Sequence, residues 1–227
     1  MWRAIESQKE NKSDISLSAG NTGALLVISR LILDSIDGIS KPALAGLWPN
    51  HNNMNVVLDL GANIECDEKN LLDFSIMGSA LFKSLFNINC PRIALLNIGL
   101  EENKGNDVLK KTFSIFKKRD FTNFEFCGYI EGNHIMDGKV NVIVTDGFTG
   151  NVALKTAEGT ANFITEELKK ALSSNILGKI SSFLKGICIV TGSFEKPLDT
   201  ETTKQLMHEI MGEIKQWLEI CENTFLT

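Results

Sequence analysis

The residues of this chain best suited to chemistry fall in one run, Val144-Thr145-Asp146-Gly147-Phe148-Thr149-Gly150-Asn151-Val152-Ala153-Leu154-Lys155. It brings a carboxylate, two glycines, a carboxamide and an ammonium group close together. An apolar run over 140–144 reads as a buried strand, and a long helix pattern is expected to begin at Asn151. Free backbone N–H groups at a helix N-terminus can hold an anion. Two other segments repeat the layout. Ser18-Ala19-Gly20-Asn21-Thr22-Gly23 follows the short apolar run 15–17 and precedes a helical stretch. Asp59-Leu60-Gly61-Ala62-Asn63 closes the apolar run 56–58 ahead of a helix from about Glu68. The chemistry on offer is that of oxygens and amides: Ser18, Asn21, Thr22, Asp59, Asn63, Asp146, Thr149, Asn151 and Lys155. Each loop also reads simply as an Asp or Asn turn and helix cap. A single helix terminus contributes only about 0.3–1 kcal/mol toward an exposed anion, so one loop would bind phosphate poorly. Three loops converging, with Lys155 one turn into its helix, would make a composite anion site.

The elements that must position these loops alternate. Helix periodicity covers 21–33, 70–86, 107–118 and 151–172, and strand-like runs cover 15–17, 55–60, 92–98, 124–130 and 140–144. Lys41-Pro42-Ala43-Leu44-Ala45 reads as extended, because proline pushes its predecessor toward β geometry. Strands alternating with long helices imply an α/β fold, a three-layer α/β/α sandwich on a mostly parallel sheet. Such sheets bind ligands beyond the carboxyl ends of their strands, where all three glycine loops fall. The expected division is an α/β catalytic-type unit over 1–172 and a helical segment over 173–227. In the latter, Ile176, Leu177, Ile180, Phe183 and Leu184 form an apolar stripe opposite lysines and serines. This stripe suits either an anionic bilayer surface or packing on a domain or partner. Leu206, Ile210, Ile214, Trp217 and Leu218 mark a final docking helix. Met1-Trp2-Arg3-Ala4-Ile5-Glu6 reads as the interior of an amphipathic helix, so further sequence is expected upstream.

Composition removes several classes. A chain of 227 residues, 43% hydrophobic and 22% charged, can bury a core without staples. Its net charge of −5 argues against nucleic acid as a partner. Five cysteines without a C-x-x-C pair are expected as buried, reduced thiols of a cytoplasmic protein. His51, His134 and His208 read as surface residues, and no zinc pattern, Walker loop, dinucleotide fingerprint or nucleophile elbow is present. No metal or cofactor is expected. The basic cluster Lys110-Lys111 and Lys117-Lys118-Arg119 reads as a solvated helix face or as a docking patch for an acidic partner.

Taken in order, the motifs resemble the phosphate acyltransferase family of bacterial phospholipid synthesis (PlsX-type). The resemblance runs from about Trp2 to Leu172. It rests on Ser18-Ala19-Gly20-Asn21-Thr22-Gly23-Ala24-Leu25, Arg30, Lys41-Pro42-Ala43-Leu44-Ala45 and Leu58-Asp59-Leu60-Gly61-Ala62-Asn63. It continues through Ile98-Gly99, Lys104-Gly105-Asn106, Gly128, Glu131-Gly132, the run from Asp146 to Lys155, and Glu158-Gly159. The resemblance implies acyl transfer from acyl carrier protein to inorganic phosphate by a homodimer working peripherally on a membrane. Asp146, Asn151 and Lys155 would then be catalytic. Ser18, Asn21, Thr22, Gly23, Asp59, Gly61, Asn63, Gly147 and Gly150 would bind phosphate and substrate. The stripe from Ile176 to Leu184 would meet the membrane. The family's opening Asp-Ala-Met-Gly-Gly-Asp loop is absent, a glycine-rich segment near the end is not found, and His134 stands where an aspartate is usual. The chain is therefore expected to be shortened at both ends of the family pattern. A coenzyme A-dependent phosphotransacylase and an inactive remnant that only binds or dimerises are the alternatives.

Overall fold

The computed structural model describes residues 1–33 and 35–173. Five strands form one sheet: β1 (Gly46–Pro49), β2 (Met54–Leu58), β3 (Arg92–Asn97), β4 (Glu125–Glu131) and β5 (Val142–Val144). Their order across the sheet is β1-β2-β5-β3-β4. The pairs β2–β5, β5–β3 and β3–β4 are parallel, and only β1 runs antiparallel, as a hairpin on β2. The helices are α1 (Trp2–Lys9), α2 (Thr22–Ile32), α3 (Glu68–Phe86), α4 (Asp107–Lys118) and α5 (Gly147–Ser173). A mostly parallel α/β sandwich is therefore what the chain builds.

The layers follow from side-chain alternation along buried strands. Val56, Leu58, Ile93, Leu95, Val142 and Val144 point to one face, where Leu71, Phe74 and Phe82 of α3 and Phe113 and Phe116 of α4 cover them. Val57, Ala94, Leu96 and Ile143 point to the other face, where Ala153, Leu154 and Ala157 of α5 pack. On β4 a bulge centres on Gly128 at φ +91°: Ile93 and Leu95 of β3 face Phe126 and Tyr129, so β4 carries one extra residue. Helix α3 opens with a reciprocal cap between Asp67 and Asn70 and closes on Asn87 in the left-handed region.

Several expectations need correction. The run 15–17 is not a strand, so the Ser18–Gly23 loop does not end one. The strand in this part of the chain is Gly46–Pro49, directly after the 41–45 segment, which belongs to no strand. Helix α5 begins at Gly147, four residues before Asn151. Of the described cysteines, Cys66 is half-buried while Cys90 and Cys127 are exposed, and all three are free thiols. The stripe Ile176, Leu177, Ile180, Phe183 and Leu184, and the docking helix after it, lie outside the described residues. No helix among the described residues is long and apolar enough to cross a membrane, and none of their His, Cys, Asp and Glu side chains cluster as a metal site.

Candidate active site

Because β2 and β5 are adjacent and parallel, the loops that follow them leave the sheet side by side at its carboxyl end. The pairing continues past both strands. Thr145 N–H donates to Leu58 O at 2.8 Å, Asp59 N–H donates to Thr145 O at 3.0 Å, and Gly147 N–H donates to Asn63 O at 2.8 Å. Two glycines allow the approach. A Cβ on Gly150 would lie 2.0 Å from Asp59 O, and one on Gly147 would lie 2.5 Å from Asn63 O. A Cβ on Gly61, at φ +132°, would touch Asn151 at 3.4 Å. Thus Asp59, Gly61, Asn63, Asp146, Gly147, Gly150 and Asn151 are brought together.

Asp59 organises this junction from within. It is fully buried, and its two carboxylate oxygens accept hydrogen bonds from the N–H groups of Leu44, Gly61, Ala62 and Asn63 and from the Asn63 carboxamide. Asn63 uses its other amide hydrogen on Pro42 O at 2.7 Å. These groups are held by one another, so Asp59 positions the loop and has no oxygen free for a substrate proton. Asp146 is occupied too. Its oxygens accept from the N–H and the hydroxyl of Thr149, both at 2.8 Å, which caps α5.

The reading as an Asp or Asn turn or cap therefore holds in each loop, with Asp59 closing its own turn and Asp146 and Asn21 capping helices. Gly20 N–H donates to the Ser18 hydroxyl, and Asn21 caps α2 by accepting from Ala24 N–H at 2.9 Å. No hydrogen bond among the described residues joins Ser18, Asn21, Thr22 or Gly23 to the other two loops. The atoms closest to a Cβ on Gly20 or Gly23 belong to Met1, Ser18 and Asn21. With the 15–17 strand absent, nothing in the sheet carries that loop to the junction.

What remains open at the start of α5 is a face rather than a cradle. Of the first three amides of the helix, only Phe148 N–H has no acceptor among the described residues. Phe148, Asn151, Val152 and Lys155 recur at helical spacing and are all exposed. The Lys155 ammonium reaches Glu158 at 2.8 Å, an exposed pair that holds it weakly. Beside this face lies a pocket of about 470 Å³, lined by Ile64, Cys66, Leu71, Leu109, Asp146 and Phe148 among others. Burial pushes the Cys66 thiol up, which leaves it mostly protonated and a poor nucleophile. The pocket was not legible in the sequence, since its walls come from three separate loops. Ile64 and Phe148, large apolar residues next to the glycine loops, were the only hint.

Comparison with known proteins decides the family. A family model described as "Fatty acid synthesis protein" matches residues 1–211. The chain belongs to this family. It is 68% identical over 184 residues to a phosphate acyltransferase of Pelagibacter ubique, covering 81% of this chain and 55% of that protein. Against a phosphate acyltransferase of Brucella canis it is 42% identical over 196 residues, covering 86% of this chain and again 55% of the relative. The chain thus spans about half the length of these curated relatives. In fold it is similar to a phosphotransacetylase from Streptococcus pyogenes, with a TM-score of 0.55 at 17% identity over 70% of this chain and 54% of that one. The motif resemblance to the phosphate acyltransferase family is therefore correct.

Proposed function

We propose that the protein transfers a fatty acyl group from acyl carrier protein to inorganic phosphate, giving acyl phosphate. The observation that carries this reading is the start of α5, locked by Gly147 and Gly150 onto the Asp59 loop, in a chain whose relatives are phosphate acyltransferases. Phosphate is itself the nucleophile, so no serine or cysteine nucleophile is needed. A phosphate oxygen attacks the thioester carbonyl, the C–O bond forms, and the tetrahedral oxyanion collapses as the C–S bond breaks and the carrier thiolate leaves, taking up a proton. Work for the protein lies in orientation and in stabilising negative charge. Asn151 and Lys155 are the donors we assign to phosphate and oxyanion. Asp59 and Asp146 act by fixing the backbone beneath them.

The exposed face of α4 supports an acidic protein as acyl donor. Among the described residues Lys110, Lys118 and Arg119 make no ion pair, and Lys111 pairs only with Glu68. A homodimer at the cytoplasmic surface of a membrane, touching it through Ile176, Leu177, Ile180, Phe183 and Leu184, completes the proposal. Co-sedimentation with anionic vesicles tests that contact. The fold shared with a phosphotransacetylase makes a coenzyme A thioester the second donor to run in parallel. The deciding assay mixes the purified 227-residue chain, phosphate and long-chain acyl carrier protein, and traps acyl phosphate as its hydroxamate. Phosphate-dependent hydroxamate is expected. None with either donor, beside an active full-length relative, overturns the reading.

A further inference from the structure

The pocket beside Asp146 has a character that the phosphate chemistry does not use. Six of its lining residues are apolar or weakly polar: Ile64, Cys66, Leu71, Val108, Leu109 and Phe148. They come from the loop after β2, the first turns of α3 and α4, and the first turn of α5. The floor is part of the main core, since Leu71 is only 2% exposed. The mouth is different. Ile64 is 74% and Phe148 64% exposed, two large apolar side chains left in water, beside the exposed lining residues Glu65, Asn106 and Thr149. Large exposed apolar groups at a concave site of mixed polarity mark a place where the apolar part of an amphipathic ligand is taken up. A volume of about 470 Å³ falls within the usual range for small-molecule sites.

Position identifies the ligand. Phe148 lies on the same helical stripe as Asn151 and Lys155, one and two turns before them. A molecule whose reacting carbonyl sits at Asn151 and Lys155 therefore reaches the pocket with whatever extends from that carbonyl. An acyl thioester extends from that carbonyl both as a hydrocarbon chain and as a sulfur-linked carrier arm, and the Ile64, Leu71, Val108, Leu109 and Phe148 lining suits the hydrocarbon chain. We propose that this pocket, entered between Ile64 and Phe148, receives the acyl chain of the substrate and so sets chain-length preference. This rests on the acyl-transfer reading for the identity of the ligand.

Cys66 provides a reporter inside the pocket, and exposed Cys90 an internal reference. The full chain is alkylated at mildly alkaline pH with saturated straight-chain carboxylates from two to sixteen carbons present below their micelle concentrations. The rate at each cysteine is read by mass spectrometry. Long chains are expected to protect Cys66 but not Cys90, with half-protection tightening by up to about fourfold per added methylene. Ile64→Glu and Phe148→Glu, both at exposed positions that tolerate charge, are expected to abolish that protection. Protection that is absent, independent of chain length, or unchanged in both variants overturns the proposal. The two readings fail separately. Chain-dependent protection without any acyl phosphate formation removes the transfer reading and leaves an acyl site. Acyl phosphate formation without protection removes the pocket and leaves the transfer reading.

Discussion

Replacing Gly150 by alanine probes the contact on which the site is built. An added Cβ would lie 2.0 Å from Asp59 O, 2.9 Å from Thr145 Cγ2 and 3.0 Å from Asp59 C. Two of these atoms are backbone of a loop already fixed by the five hydrogen bonds that Asp59 accepts. They cannot rotate away as a side-chain tip could. Overpacking against such a wall costs about 3 kcal/mol. Alanine in place of glycine in a helix returns about 1 kcal/mol. The net expectation is a loss of about 2 kcal/mol, or a Tm lowered by about 4–8 °C for a chain of this size. Gly159 supplies the opposite sign on the same helix, because no atom comes within 4 Å of a Cβ placed there. Gly159→Ala is expected to gain up to about 1 kcal/mol, raising Tm by about 2–4 °C. Differential scanning calorimetry of both variants and the double mutant reads the two effects, which should add, since the positions are far apart. A Gly150→Ala protein as stable as its parent would show that the α5 start is not wedged against the Asp59 loop, and the site geometry derived from that contact would be wrong.

Four other outcomes are expected. Asp59→Asn leaves buried N–H groups facing an amide in place of a carboxylate, and should cost about 3 kcal/mol in urea unfolding. Asn151→Ala and Lys155→Ala should each lower kcat by about 10²–10³-fold in the hydroxamate assay while moving stability by less than about 0.5 kcal/mol, because both positions are exposed. Lys139, and after it His134, hydrogen-bonds Asp137 and holds its carboxyl below the usual range. That stabilisation is complete above the ordinary carboxylate range and is lost as pH falls through the lowered value, so the acid side of a stability–pH profile should flatten in Asp137→Asn. Reversing Lys110 and Lys118 to glutamate should raise KM for the carrier-protein donor by up to about tenfold and weaken its salt dependence, with little change for a coenzyme A donor.

What the sequence made legible tracks burial. Strands β2, β3 and β5 read as Val, Ile and Leu runs because both of their faces are covered, and the loops leaving them carried the motifs. Strand β1 was misplaced by its short Gly-Leu-Trp-Pro sequence. It is a strand only because the Asn50–Asn53 turn folds it onto β2, a non-local fact. The start of α5 was set four residues late because glycines at 147 and 150 mask helix propensity while serving close approach. A run over 15–17 looked like its counterparts, yet pairs with no strand among the described residues. Asp59 could be picked out by its motif but not by its role, since its five donors come from Leu44 as well as from residues 61–63.

Hydrogen bonds within the loops limit where an anion can be held. Glycine loops at strand ends suggest backbone amides aimed at phosphate, and that inference fails once the amides are followed to their acceptors. In the Asp59 loop the amides of Gly61, Ala62 and Asn63 end on a carboxylate of the same loop. At α5 the Gly147 amide ends on Asn63 O and the Thr149 amide on Asp146. A helix terminus already capped by an aspartate has little left for a second anion, whose charge the Asp146 carboxylate would oppose. On the proposed acyl-transfer reading, the donors left for an anion are the Phe148 amide in the first turn and, past the cap, the Asn151 carboxamide and the Lys155 ammonium. Under the proposed function such a site would be weak toward phosphate alone and would gain strength as negative charge grows on the attacked carbonyl, the distribution an acyl-transfer catalyst requires. Asp59 and Asp146 fix the two loops internally, and the backbone bonds from Thr145, Asp59 and Gly147 hold them together beneath the helix face that bears these donors.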